Sequence, residues 1–136
     1  MAQRNPFNPT LADGIRRHGF RKWYERELLS SHAHMALALL ASVALIASFE
    51  AFQGGSWSEK LLDTGFVLAC AVIALWALRR YLYLLMHAEE MANQANCGQC
   101  KAYGLLLVPD DARSDARRLV PVCCKRCGFR WDMQDG

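Results

Sequence analysis

With 136 residues the chain has room for one ordinary globular domain, yet 53% of it is hydrophobic, 21% is charged, and the charges are unevenly spread. Between Ala33 and Phe52 the only charge is Glu50, and between Thr64 and Leu78 there is none, a pattern that excludes a conventional soluble fold, while the apolar content excludes disorder throughout. Sixteen basic and thirteen acidic residues give a net charge of +3, too balanced to name a nucleic-acid partner.

Residues 1–30 read as a hydrophilic tail. Asn5-Pro6 and Asn8-Pro9 mark irregular chain, and Thr10-Leu-Ala-Asp13 has the spacing to cap a short helix. Gly19-Phe-Arg-Lys-Trp-Tyr-Glu-Arg-Glu-Leu-Leu29 then interleaves aromatic and basic residues. Such a stretch suits an interfacial segment, with rings at the acyl boundary and cations on anionic headgroups. A cleavable signal peptide is not expected, because these residues lack an apolar core; the first membrane helix serves as its own signal.

Residues 31–88 read as a two-helix transmembrane hairpin. The run from His34 to Phe49, extended to Ser31 and Phe52, reaches the roughly 20 residues that cross a bilayer. A second run, Leu61 to Leu78, carries only Asp63 as a charge. Trp76, Arg79, Arg80, Tyr81 and Tyr83 follow as an interfacial cluster of rings and snorkelling cations, and the helix runs on into water through Glu89 and Glu90. The short turn-rich link Gln53–Lys60 makes the helices antiparallel neighbours. Arg16, Arg17, Arg21, Lys22 and Arg26 flank one span and Arg79 and Arg80 the other, against Lys60 alone in the link. The positive-inside rule therefore places both termini in the cytoplasm of a bacterial-type inner membrane. Small residues recur in both spans, among them Ala38, Ala41, Ala74 and Ala77, so both look built for close helix contacts. His32, His34 and His87 are expected at the interface; the depth of His87 does not match that of His34, which argues against a shared haem.

Residues 89–136 hold five of the six cysteines; the sixth, Cys70, reads as a small packing residue in the second span. Cys97-Gly-Gln-Cys100 and Cys124-Lys-Arg-Cys127 are two CxxC knuckles. Four thiolates at this spacing suit one tetrahedral Zn²⁺, with Gly128 supplying the positive φ such turns often need. Cys123 is one cysteine too many and is assigned to the end of a strand. The region 97–131 resembles a zinc ribbon, with strands at Tyr103–Val108, Leu119–Cys123 and Phe129–Met133 and a polar hairpin loop from Pro109 to Arg118. The resemblance covers about a quarter of the chain and implies a fold and a metal, not a role. Iron in a rubredoxin-like Cys₄ site is the rival, although Lys101 stands where that pattern favours Gly. Reduced thiols agree with a cytoplasmic location.

The expected fold class is thus an α-helical membrane hairpin plus a small β zinc ribbon. Neither a Ser-His-Asp order, a phosphate-cradling Gly loop nor paired intramembrane carboxylates occurs, so no enzymatic activity is expected. Residues 97–136 carry a net charge of +2, weak for a phosphate binder. What remains is an accessory, assembly or regulatory subunit whose partners are the lipid bilayer and either a larger membrane complex or further copies of the chain. A ribbon of about 40 residues is too small to be held by its own core, so the metal is expected to supply much of its folding free energy.

Overall fold

The computed structural model of the chain describes residues 7–51, 55–110 and 118–136. Asn5-Pro6, the link residues 52–54 and the middle of the polar loop, 111–117, lie outside them. The elements in order are α1 (Leu11–His18), α2 (Phe20–Ala51), α3 (Trp57–Gln94), β1 (Leu106–Leu107), β2 (Leu119–Cys124) and β3 (Arg130–Gln134). They form two compact units: Met1–Ser30 with Leu84–Gly136, and Ser31–Tyr83.

α1 and α3 start where local chemistry satisfies free N–H groups. Thr10 caps α1, its hydroxyl accepting from the Asp13 N–H at 3.4 Å. Gly19, at φ 84°, ends α1 with its N–H on the Ile15 carbonyl, and α2 restarts one residue later. At α3, Glu59 reaches back to accept from the Ser56 N–H at 2.7 Å, the reciprocal half of a Ser-x-x-Glu capping box.

The second unit consists of the apolar stretches of α2 and α3, both long and apolar enough to cross a membrane. Its buried residues are mostly small: Ser31, Ala38 and Ala41 on α2, Cys70 and Ala77 on α3. They recur at seven-residue intervals (Ser31 to Ala38, Cys70 to Ala77), the period that keeps one seam facing a neighbouring helix. The larger side chains point away from it: Leu40 is 69% exposed, Val43 63%, Leu68 62% and Val72 65%. The core helix of a soluble protein buries such residues, whereas a membrane covers them with lipid. The two expected snorkelling arginines differ. Arg79 is exposed, but Arg80 is buried, its guanidinium 5.7 Å from the centre of the Tyr83 ring.

In the first unit the sheet is antiparallel in the order β1-β2-β3. Leu106 pairs with Cys124, Val120 with Met133 and Val122 with Trp131. Along β2, Val120, Val122 and Cys124 point inward and alternate with half-buried Leu119, Pro121 and Cys123. A proline in a central strand is ordinarily excluded because it cannot donate to the ladder. Pro121 is tolerated because β1 stops at Leu107, the partner of Cys123, and so never reaches it.

The sheet's inner face is covered by the segment expected to be a tail. Leu11 and Ile15 of α1, Phe20 and Trp23 of α2, and Met91 and Ala95 of α3 form one core with Leu106, Val108, Val120, Val122 and Met133. Phe20 and Trp23 are 3% and 2% exposed, so these rings are not free to sit at an acyl boundary. The cations between them stay exposed. Aromatic-basic alternation has two physical solutions, a lipid interface and an amphipathic helix on a protein core, and composition alone does not separate them.

Candidate metal centre

Two equivalent turns build the site. In the first, the Lys101 N–H donates to the Cys97 carbonyl at 3.1 Å; in the second, the Gly128 N–H donates to the Cys124 carbonyl at 3.1 Å. Both residues after the second cysteine adopt positive φ, 59° at Lys101 and 78° at Gly128. The sequence marks the second turn with glycine and hides the first behind a lysine, a residue that visits this region at a cost of roughly 1–2 kcal/mol.

These turns bring Cys97, Cys100, Cys124 and Cys127 together, with all four sulfurs within 4.8 Å of one another. The Cys97–Cys127 and Cys100–Cys124 sulfur distances are 3.5 and 3.6 Å, and none of the four is in a disulfide. A metal bound at about 2.3 Å to four thiolates has sulfurs about 3.8 Å apart, so the cluster has the size of a tetrahedral site. β1 and β2 hold the knuckles in register through the Leu106–Cys124 pair, and the Lys125 N–H on the Leu105 carbonyl at 2.9 Å ties the second turn to the first strand.

Electrostatics favour a cation at the centre. The Cys100 N–H, followed by that of Gln99, lowers the Cys97 thiol to about 6 against the opposing effect of burial. At Cys124 the N–H groups of Cys127 and Arg126 work in the same direction, the latter 3.4 Å from the sulfur. Cys127 goes the other way. The Phe129 N–H favours its thiolate, but desolvation and the three neighbouring sulfurs together push it up to about 12. Four thiols this close cannot all ionise unaided, and a cation among them removes that conflict. Cys97 and Cys124 are buried, Cys100 is half-buried and Cys127 is exposed.

The structure puts the fifth cysteine of the module outside the cluster. Cys123 lies on the outer face of β2, its sulfur 3.5 Å from the Gly128 carbonyl. Cys70 is buried in the second unit.

Sequence reasoning missed a second charged cluster in the first unit. His87 lies beyond the apolar part of α3. Its Nε2 is 2.9 Å from Asp135 Oδ1, and its Nδ1 is 3.5 Å from Glu27 Oε1. Glu27 is only 2% exposed and accepts from Asn8 Nδ2 at 2.8 Å. The hydrogen bonds to Asp135 and then Glu27 raise the His87 pKa from 6.5 to about 9, against desolvation. The partners come from opposite ends of the chain. The one available signal was Glu27 itself, at i+4 and i+7 from Trp23 and Phe20 on the face of α2 that turned out to be buried. Because the carboxylates engage opposite ring nitrogens, the cluster is an ion-paired clamp and not a single metal site.

No family model, no curated protein and no solved structure matches this chain.

Proposed function

We propose that the chain is a multi-pass inner-membrane protein with both termini in the cytoplasm, where it acts as an accessory, assembly or regulatory subunit carrying a structural Zn²⁺ ribbon at the membrane face. One observation carries this reading. The ribbon does not stand alone: Phe20 and Trp23 of α2 and Met91 and Ala95 of α3 are part of its core. A Cys₄ ribbon packed into one core with helical turns presents a preformed protein surface, as a docking or assembly element requires. The lipid-facing apolar residues and small-residue seam support association within a membrane. The partner is a larger membrane complex or a second copy of the chain; the modest positive charge of the ribbon speaks against nucleic acid.

A second reading, a membrane-tethered Cys₄-iron electron carrier, draws on the exposed sulfur ligand Cys127, which gives an electron a short route to a partner. Gentle detergent extraction with metal analysis and identification of co-purifying proteins separates the two. A colourless preparation with one zinc per chain and a stable partner supports the subunit. A red ferric-thiolate preparation supports the carrier. A clean monomer without a partner overturns the subunit reading.

A further inference from the structure

The exposed side of α2 changes character along one line. Lys22, Arg26 and Leu29 are spaced i, i+4, i+7, so they share a stripe of the helix, and all three are exposed, Leu29 at 72%. Beyond Leu29 the chain runs into the apolar stretch of α2. The stripe is therefore cationic at Lys22 and Arg26 and aliphatic at Leu29. The opposite side of these first turns is occupied, because Phe20, Trp23 and Glu27 are buried. The acid nearest the stripe, Glu25, is paired with Arg21 at 3.1 Å.

That order of chemistry matches a bilayer boundary in both sequence and scale. At about 1.5 Å per residue, Arg26 stands about 4.5 Å and Lys22 about 10.5 Å along the axis from Leu29. The headgroup layer on each side of the hydrocarbon is about 5–7 Å thick, and long basic side chains reach several ångströms along the helix. With Leu29 at the hydrocarbon edge, Arg26 would fall inside the phosphate layer and Lys22 would reach its outer edge. A solvated lead-in to a span needs no exposed leucine directly below its cations, whereas a helix that enters an anionic leaflet does.

The geometry points to a lipid-recognition stripe, in which Lys22 and Arg26 bind the phosphates of anionic phospholipids while Leu29 packs on their acyl chains. This rests on the membrane reading above and adds the class of lipid that the cytoplasmic end of α2 selects.

The test uses the full-length protein in nanodiscs of phosphatidylcholine alone or with phosphatidylglycerol. Acylation of Lys22 is read by mass spectrometry against Lys101 and Lys125 in the same molecules. Phosphatidylglycerol should slow labelling of Lys22 about fivefold, the scale expected for one cation at an anionic surface, and leave the ribbon lysines unchanged. Arg26→Gln, at an exposed position, should abolish most of that protection. Inorganic phosphate added to phosphatidylcholine discs should protect nothing. Equal labelling in both discs overturns the proposal, as does protection unchanged in Arg26→Gln, which would report only the bulk surface potential. Equal protection by free phosphate would make the stripe a general anion site and overturn its lipid assignment. Failure of the protein to enter the discs at all would sink the membrane reading itself, a result distinct from insertion without lipid preference.

Discussion

At the scale of single residues, the two knuckles make the same turn from unequal sequences. Lys101 and Gly128 occupy equivalent positions with positive φ, and only glycine does so without steric cost. Lys101→Gly should therefore raise the stability of the first unit by up to about 1 kcal/mol, and Gly128→Ala should lower it by about the same amount. Thermal unfolding of the two variants against the parent measures both. Opposite signs are expected, and a loss in both would mean that the Lys101 side chain contributes more than its backbone costs. His87 gives a prediction with a direction in pH. Its pKa lies near 9 in the folded chain and near 6.5 when unfolded, so the folded state holds the proton more tightly. The stabilisation is complete below pH 6.5 and is lost as the pH rises through 9. Replacing His87 with Gln should cost about 2 kcal/mol at pH 6, the worth of charge-assisted hydrogen bonds, and much less at pH 10. Hydrogen exchange in β3, measured across that range, should show the parent losing protection on the alkaline side and the variant staying flat.

At the scale of elements, α1 is pressed against α2 at one point. A Cβ added to Gly14 would lie 2.2 Å from Cδ1 of Trp23. That indole cannot swing aside freely, being buried and donating from Nε1 to the Pro9 carbonyl at 3.1 Å. Gly14→Ala should thus destabilise the first unit by about 1–3 kcal/mol, despite alanine's better helix propensity. Greater exposure of Trp23, read by its fluorescence emission, should accompany the loss; a stabilised variant would show that α1 is not seated on α2. Much at this scale was legible in the sequence. The Thr10 cap, both apolar helices, the continuation of α3 past Glu90 and the second and third strands follow from local patterns whose periods and caps are short-range, whereas the first strand, expected over Tyr103–Val108, is only Leu106–Leu107. The seating of α1 was not, because Gly14 gives no sign of close approach until Trp23 is known to lie against it. Nor was the burial of Phe20 and Trp23: their spacing fits a lipid face and a protein face equally well. The knuckles were readable because four sulfurs at one ion impose a spacing that chance rarely supplies, while the Asn8-Glu27-His87-Asp135 cluster joins residues with no mutual spacing rule.

At the scale of the whole molecule, the shared core changes what the metal is needed for. A ribbon standing alone would have Leu106, Val120, Val122 and Met133 as a thin apolar layer, and losing the ion would unfold it. Here the same residues are roofed by Leu11, Ile15, Phe20, Trp23 and Met91, all under 5% exposed. At about 1.5–3 kcal/mol for each fully buried large side chain, this roof supplies stabilisation of the same order as a structural metal. The two contributions act on different parts of the unit. The core holds β2 to β3 and to the helices, whereas the thiolates hold the two turns to each other. Cys97→Ser should therefore abolish stoichiometric metal binding without unfolding the first unit. Hydrogen exchange should rise in Cys97–Gly104 and Cys124–Phe129 and stay low around Val120, Met133 and Met91. Cys124→Ser should behave alike, and Cys123→Ser should keep both the metal and the protection, since its sulfur faces the Gly128 carbonyl and not the cluster. Uniform loss of protection in Cys97→Ser would show that the ion, and not the helical roof, holds the unit together. Metal retained in Cys124→Ser and lost in Cys123→Ser would exchange the roles of the adjacent pair.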